Sequence, residues 1–171
     1  MFQSPLNKKG VTLMEMMVVV IIIVGLVMAA YPTYLSSLEK ARAQEAVQLI
    51  SHLAAAQDKF LAECYNMDSS GNCSYSADFT KLPVEIAGPN KSSNITVAAT
   101  QITTPGYIYT MDNSGGSLNI VATTRRKTSY DYTITAKVAE SEILCKADKK
   151  NGIKICGAIG KKTSDGVYKI D

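Results

Sequence analysis

Between Glu15 and Glu39 the chain carries no charge, and this gap is the most informative thing missing from its 171 residues. Other absences narrow the function. Tryptophan is absent, and histidine occurs once, at His52, among the apolar neighbours Leu49 and Leu53 with no catalytic partner nearby. A solvent-facing helix histidine is the expectation. The chain has no Gly-x-Ser-x-Gly, phosphate loop, dinucleotide fingerprint or paired-carboxylate motif, which argues against an enzyme. Its four cysteines form no Cys-x-x-Cys pair, so a zinc site is not expected. A calcium site needs clustered oxygen ligands, for which Asp165 and Asp171 alone make a thin case. No cofactor and no metal are expected. The net charge of +3 is spread along the chain and singles out no partner.

The uncharged gap is filled by Met16-Met17-Val18-Val19-Val20-Ile21-Ile22-Ile23-Val24-Gly25-Leu26-Val27-Met28-Ala29-Ala30-Tyr31. About 20 mostly apolar residues make one membrane-crossing helix at roughly 1.5 Å per residue. The apolar run is longer than the core of a secretory signal, has no clean small-x-small site, and passes directly into a further helical pattern. Lys8 and Lys9 precede it, which puts the leader on the cytoplasmic side and everything after Tyr31 outside. Glu15 is the anomaly. An ionised carboxylate within a span costs roughly 2.5–3.5 kcal/mol on insertion scales, and the nearest downstream cation is Lys40, about 37 Å away along a helix. Its partner is then the membrane interface, as in an ordinary signal anchor, or an amine created by cleavage, or another chain. An ammonium about 4 Å away at an effective dielectric near 20 offers a few kcal/mol before desolvation, comparable to the insertion cost.

The run Lys8-Lys9-Gly10, then Val11-Thr12-Leu13-Met14-Glu15, resembles the class III signal of type IV pilins and the related pseudopilins of type II secretion. The resemblance is specific over about residues 7–60. It implies a pilin fold: a long N-terminal helix packed on a small antiparallel sheet. It also implies cleavage after Gly10 by a prepilin peptidase, N-methylation of Val11, and use of Glu15 to register one subunit against the next. Pro32 falls where many such helices carry a proline, in a segment that unwinds on filament assembly. This chain departs from the family in having Val11 in place of the usual phenylalanine, and Gly25 one position late.

The expected organisation is α+β: a leader at 1–10, a helix at 11–65 whose half 11–35 crosses the membrane, a connector at 66–94, and a sheet domain at 95–171. Pro32 removes one backbone bond and clashes with the preceding turn, which predicts a kink or local melting between Gly25 and Pro32. Beyond it Leu35, Leu38, Ala46, Leu49, Leu53, Ala56, Phe60 and Cys64 recur at three- and four-residue steps, one soluble stripe. Glu39, Lys40, Glu45, Asp58, Lys59 and Glu63 lie mostly off it. The connector is rich in turn residues, with Phe79, Leu82, Val84 and Ile86 as its anchors. Ile95 to Thr103 favours a strand. Tyr107 to Met111 and Leu118 to Thr124 flank the turn signal Asn113-Ser114-Gly115-Gly116. Tyr132, Ile134, Ala136 and Val138 alternate with polar residues. Three or four strands are expected, then a tail with a turn at Lys149–Gly152 and an irregular end.

The cysteines all lie past the span, which suits an oxidising compartment. Proximity suggests Cys64 with Cys73 and Cys145 with Cys156, although four cysteines allow three pairings and sequence does not choose. The family resemblance favours a C-terminal loop closed by Cys145 and Cys156.

The function implied by the resemblance is that of a structural subunit of a type IV pilus. The chain would sit in the bacterial inner membrane by one pass and then join a homopolymer, a periplasm-spanning or cell-surface filament, driven by an assembly machinery with its own ATPase. The alternatives are a major pseudopilin of type II secretion, or a minor pilin that binds a ligand or DNA. Arg125-Arg126-Lys127 and Lys161-Lys162 are read as solvated turns, with nucleic acid as the lesser reading because no aromatic residues interleave. A minor subunit would more often lack Glu15. An unprocessed, membrane-tethered monomer is the third reading.

Overall fold

The computed structural model describes residues 12–67, 69–83, 95–112, 117–125 and 130–170. The fold is α+β: a long N-terminal helix and a small antiparallel sheet. The chain divides into two compact units, one up to Leu38 and one from Glu39 onward.

Helix α1, Leu13–Ala62, runs for 50 residues, about 75 Å at the α-helical rise. It passes through Gly25 and Pro32 without a break. This corrects the expected local melting: proline forfeits its own hydrogen bond, and the ladder on either side carries the helix across. The helix also ends a turn before Tyr65. Cys64 takes a left-handed φ of 53°, Tyr65 N–H donates to the Phe60 carbonyl (3.3 Å), and Cys64 N–H donates to that of Leu61 (3.1 Å). That pair of bonds is a Schellman stop, completed by Phe60 against Tyr65 with ring centroids 5.3 Å apart.

In the second unit the buried positions of α1 are Glu39, Ala43, Ala46, Ile50, Leu53, Ala56, Gln57 and Phe60. Two of them, Glu39 and Gln57, are polar. They depart from the expected stripe, in which Glu39 was placed off the buried face.

Among the described residues the sheet has eight strands, where three or four were expected: β1 (Thr96–Val97), β2 (Gln101–Thr103), β3 (Tyr107–Asp112), β4 (Asn119–Thr124), β5 (Tyr132–Lys137), β6 (Glu142–Ala147), β7 (Lys161–Lys162) and β8 (Tyr168–Ile170). All neighbours are antiparallel, in the order β1-β2-β3-β4-β5-β6-β8-β7. The predicted alternation is present in β5, where Tyr132, Ile134 and Ala136 face inward, followed by buried Val138. The turn signal at 113–116 lies outside the described residues.

Where the tail was expected to be irregular, a second helix α2, Lys150–Ile159, buries Gly152, Ile155 and Cys156. It packs on β5, β6 and β8. The approach is close enough that a Cβ at Gly152 would overlap the carbonyl of Asp131. One core joins the α1 stripe, the inward residues of β2 to β6, and α2.

Candidate functional site

Two regions combine unusual chemistry with position. The first is the start of α1. Thr12 Oγ1 accepts the Glu15 backbone N–H (3.2 Å), and the Thr12 carbonyl accepts that of Met16 (3.2 Å). Thr12 is therefore the N-cap and Glu15 the third helical residue, the spacing of a capping box. The Thr-x-x-Glu spacing is itself the sequence signal for this cap. A carboxylate in the first turn also gains about 0.3–1 kcal/mol from the helix dipole. That is less than the insertion cost of roughly 2.5–3.5 kcal/mol, so the N-terminus offsets part of the cost of Glu15 and leaves the rest unmet. Gly10 and Val11 lie outside the described residues.

From Leu13 to Leu35, seventeen large apolar side chains are exposed, Ile21 to 71 % and Met28 to 73 %. None of these residues is buried within the first unit. At roughly 1.5–3 kcal/mol per large apolar side chain, leaving this surface in water would cost tens of kcal/mol. By length and composition this stretch is a candidate membrane span. Pro32 lies within it, near its C-terminal end.

The second region lies where the buried stripe of α1 begins. Glu39 is 3 % exposed. One carboxylate oxygen accepts from the Tyr132 hydroxyl (3.2 Å) and the other pairs with the Arg42 guanidinium (3.3 Å). The Tyr132 hydroxyl also shares a short hydrogen bond with that of Tyr107, whose ring meets Tyr132 edge-on. Burial pushes the Tyr107 hydroxyl up to about 12. Burial, then the bond to Tyr107, pushes Tyr132 higher still, and burial raises Tyr109. No sequence motif marks this triad, since Tyr107 and Tyr132 are 25 residues apart and Tyr132 and Glu39 93.

A second buried polar anchor fastens the connector. Gln57 Nε2 donates to the Ser76 carbonyl (2.8 Å) and its Oε1 accepts the Ser76 N–H (3.0 Å). Phe79 N–H then donates to the Ala99 carbonyl (2.8 Å), and Phe79 and Leu82 are buried. The other two expected anchors, Val84 and Ile86, lie outside the described residues.

Two disulfides are formed, Cys64–Cys73 and Cys145–Cys156, with Cα atoms 5.1 and 5.5 Å apart. The first ties the helix stop to the connector. The second ties β6 to α2 inside the core, rather than facing cysteines across a tight turn. His52 is exposed on α1. Among the described residues, no three of His, Cys, Asp and Glu come together as a metal cluster would require.

No family model, curated protein or solved structure matches this chain.

Proposed function

We propose that the chain is the structural subunit of a type IV pilus. The observation that carries this reading is the run of uncovered apolar residues from Leu13 to Leu35 with Glu15 as its one charge. Such a surface demands lipid or other chains around it, and a polymer of the same chain supplies both partners in turn. Before assembly the helix spans the bacterial inner membrane. A prepilin peptidase cuts after Gly10, and the new amine at Val11 is methylated. In the filament, the amine of one subunit neutralises Glu15 of a neighbour, which closes the part of the insertion cost that the capped helix end leaves open. The sheet unit forms the outer surface, and its two disulfides suit a life beyond the cytoplasm. The role is structural and not catalytic.

Mass spectrometry of the mature chain tests the processing step: it should begin at Val11 and carry one extra methyl group. The polymer step is tested by Glu15→Ala, which should abolish sheared surface fibres while leaving the chain in the membrane. Normal fibres from that variant would refute the pairing and leave a tethered domain as the better account. Loss of secretion with no loss of fibres on deletion would instead point to the pseudopilus.

A further inference from the structure

We propose that Tyr31 and Tyr34 are an interfacial anchor, two aromatic side chains that hold one end of the span at a lipid headgroup layer and so set how deep Glu15 sits in the bilayer. The inference rests on the membrane half of the reading above and not on the polymer. The two tyrosines are three residues apart, hence on one face of α1, and both are exposed. They close the apolar run: Met16 to Ala30 carries no polar side chain, and after Tyr34 come Ser36 and Ser37, then Glu39 and Lys40. A ring with an apolar body and one polar tip is best placed where hydrocarbon meets water. Pro32 points to the same depth. It has no N–H to offer the Met28 carbonyl one turn back, although α1 continues through it. A carbonyl without a donor is costly in hydrocarbon, whereas water at the interface supplies one. In the same turn Ser37 Oγ donates to the Thr33 carbonyl (3.1 Å), so hydroxyls cluster at this end of the apolar run.

Two depths compete, because a hydrocarbon core of about 30 Å takes about 20 helical residues. With Tyr31 at the outer boundary, Glu15 lies about 24 Å away along the axis and stays about 6 Å inside the opposite boundary. With Glu15 at its own boundary, the core would reach to about Leu35 and draw Tyr31, Pro32 and Thr33 into hydrocarbon. The second depth relieves one carboxylate and strands a phenol hydroxyl and the Met28 carbonyl together. The first keeps both of those wet. It also lets the Glu15 side chain, which leans toward the helix N-terminus, cover part of its remaining distance to the near headgroups. The tyrosine depth therefore wins, and Glu15 is kept short of the surface by an aromatic pair at the far end of the same helix. That depth leaves the carboxylate to be met by another chain, the one step that leans on the polymer reading.

The chain has no tryptophan, so a single introduced tryptophan reports its own depth without background. The full chain is placed in phosphatidylcholine vesicles brominated either near the headgroup or near the acyl-chain end, and the ratio of shallow to deep quenching is read. Tyr34→Trp, which keeps an interfacial ring, should be quenched more by the shallow bromines, and Ile22→Trp more by the deep ones. Val18→Trp, on the Glu15 side of the midpoint, reports slip. In that background, Tyr31→Ala with Tyr34→Ala should raise the ratio about twofold, as the reporter moves about 6 Å toward the headgroups. Adding Glu15→Gln should bring the ratio back, because the opposing pull is gone. Met28→Ala with Leu35→Ala removes exposed side chains at the same end but no ring, and should leave the ratio unchanged. The proposal is overturned if the Tyr34→Trp reporter is quenched more by the deep bromines or by neither, if loss of both tyrosines leaves the Val18→Trp ratio where it was, if Glu15→Gln does not reverse the change, or if the Met28 and Leu35 pair moves the ratio as far. An Ile22→Trp reporter quenched by neither lipid removes the span, and the anchor with it. Depths as expected with no fibres from the unsubstituted chain in cells leave the anchor standing and remove the pilus.

Discussion

The two halves of helix α1 share one backbone geometry and differ in almost everything else. Up to Leu35 the apolar residues surround the helix and none is covered by the first unit; from Glu39 they collapse to one stripe that the sheet buries. A helix apolar on every side needs an apolar surround, whereas one with a stripe needs only a single partner surface. The difference shows that covalent continuity does not make a helix one energetic element. The first half is stabilised by whatever surrounds it, and the second by its own domain.

The largest expected effect tests this division directly. Ile134→Ala, in the centre of the sheet and fully buried, should lower unfolding stability by about 2–5 kcal/mol. Ile22→Ala, exposed in the first half, should change the same unfolding transition by less than about 0.5 kcal/mol, measured by denaturation of the full chain in micelles. Equal costs would mean that the two halves fold as one body.

Next come the disulfides, which compare two parts of the second unit. Each closes a short loop, with separations of 9 and 11 residues, and the chain-entropy model gives about 3 kcal/mol for either. Cys145 and Cys156 are both fully buried, whereas Cys64 is half-buried and Cys73 exposed. Replacing both Cys145 and Cys156 by serine should therefore cost more than replacing Cys64 and Cys73, because it also buries two hydroxyls. A larger loss from the surface pair would mean that the connector, not α2, limits stability.

The third effect is alkaline. The hydroxyl of Tyr107 is raised from near 10 to about 12, chiefly by burial. The native state thus holds this proton more tightly than the unfolded chain does. The contribution is fully present below pH 10 and is lost as pH rises from 10 through 12. It is on the order of 2 kcal/mol, with Tyr132 and Tyr109 shifted the same way. Stability followed by urea titration should fall over that window, and Tyr107→Phe should flatten the fall.

Much of this was legible in the sequence, and the failures have physical causes. The long apolar start of α1, the helix beyond it, the strands around Tyr107, Ile120 and Ile134, and the α+β class all follow from hydrophobic pattern. Apolar residues alone set the stripe's phase on Leu49, where the structure buries Ile50. Seven of the eight buried positions, 39, 43, 46, 50, 53, 57 and 60, step by four and three, with Ala56 beside them, and continuing that repeat draws Glu39 and Gln57 into the core. Polarity hid them. Helix α2 is hidden in the sequence because Lys150-Asn151-Gly152-Ile153-Lys154-Ile155-Cys156-Gly157-Ala158-Ile159 carries two glycines and two β-branched isoleucines in its interior, a poor helix by propensity. Its packing on β6 and the Cys145–Cys156 bond overrule that preference. Strands β7 and β8 are two and three residues long, too short for any period to show.

The smallest effect sharpens the comparison from the exposed apolar end. If the first half of α1 is locally determined, its cap should matter to it and to nothing else. Thr12 Oγ1 satisfies one of the backbone donors that a helix start leaves open, and replacing such a cap by alanine costs about 1 kcal/mol. Thr12→Ala should therefore speed exchange of the Glu15 amide about fivefold, since about 1 kcal/mol corresponds to that factor. The unfolding transition of the sheet unit should stay where it was. Thr12→Ser, which keeps the acceptor, should restore most of the protection. A shift of the sheet transition in Thr12→Ala would show that the start of α1 communicates with the domain from Glu39 onward, and the two-part description of the helix would fail at its weakest bond.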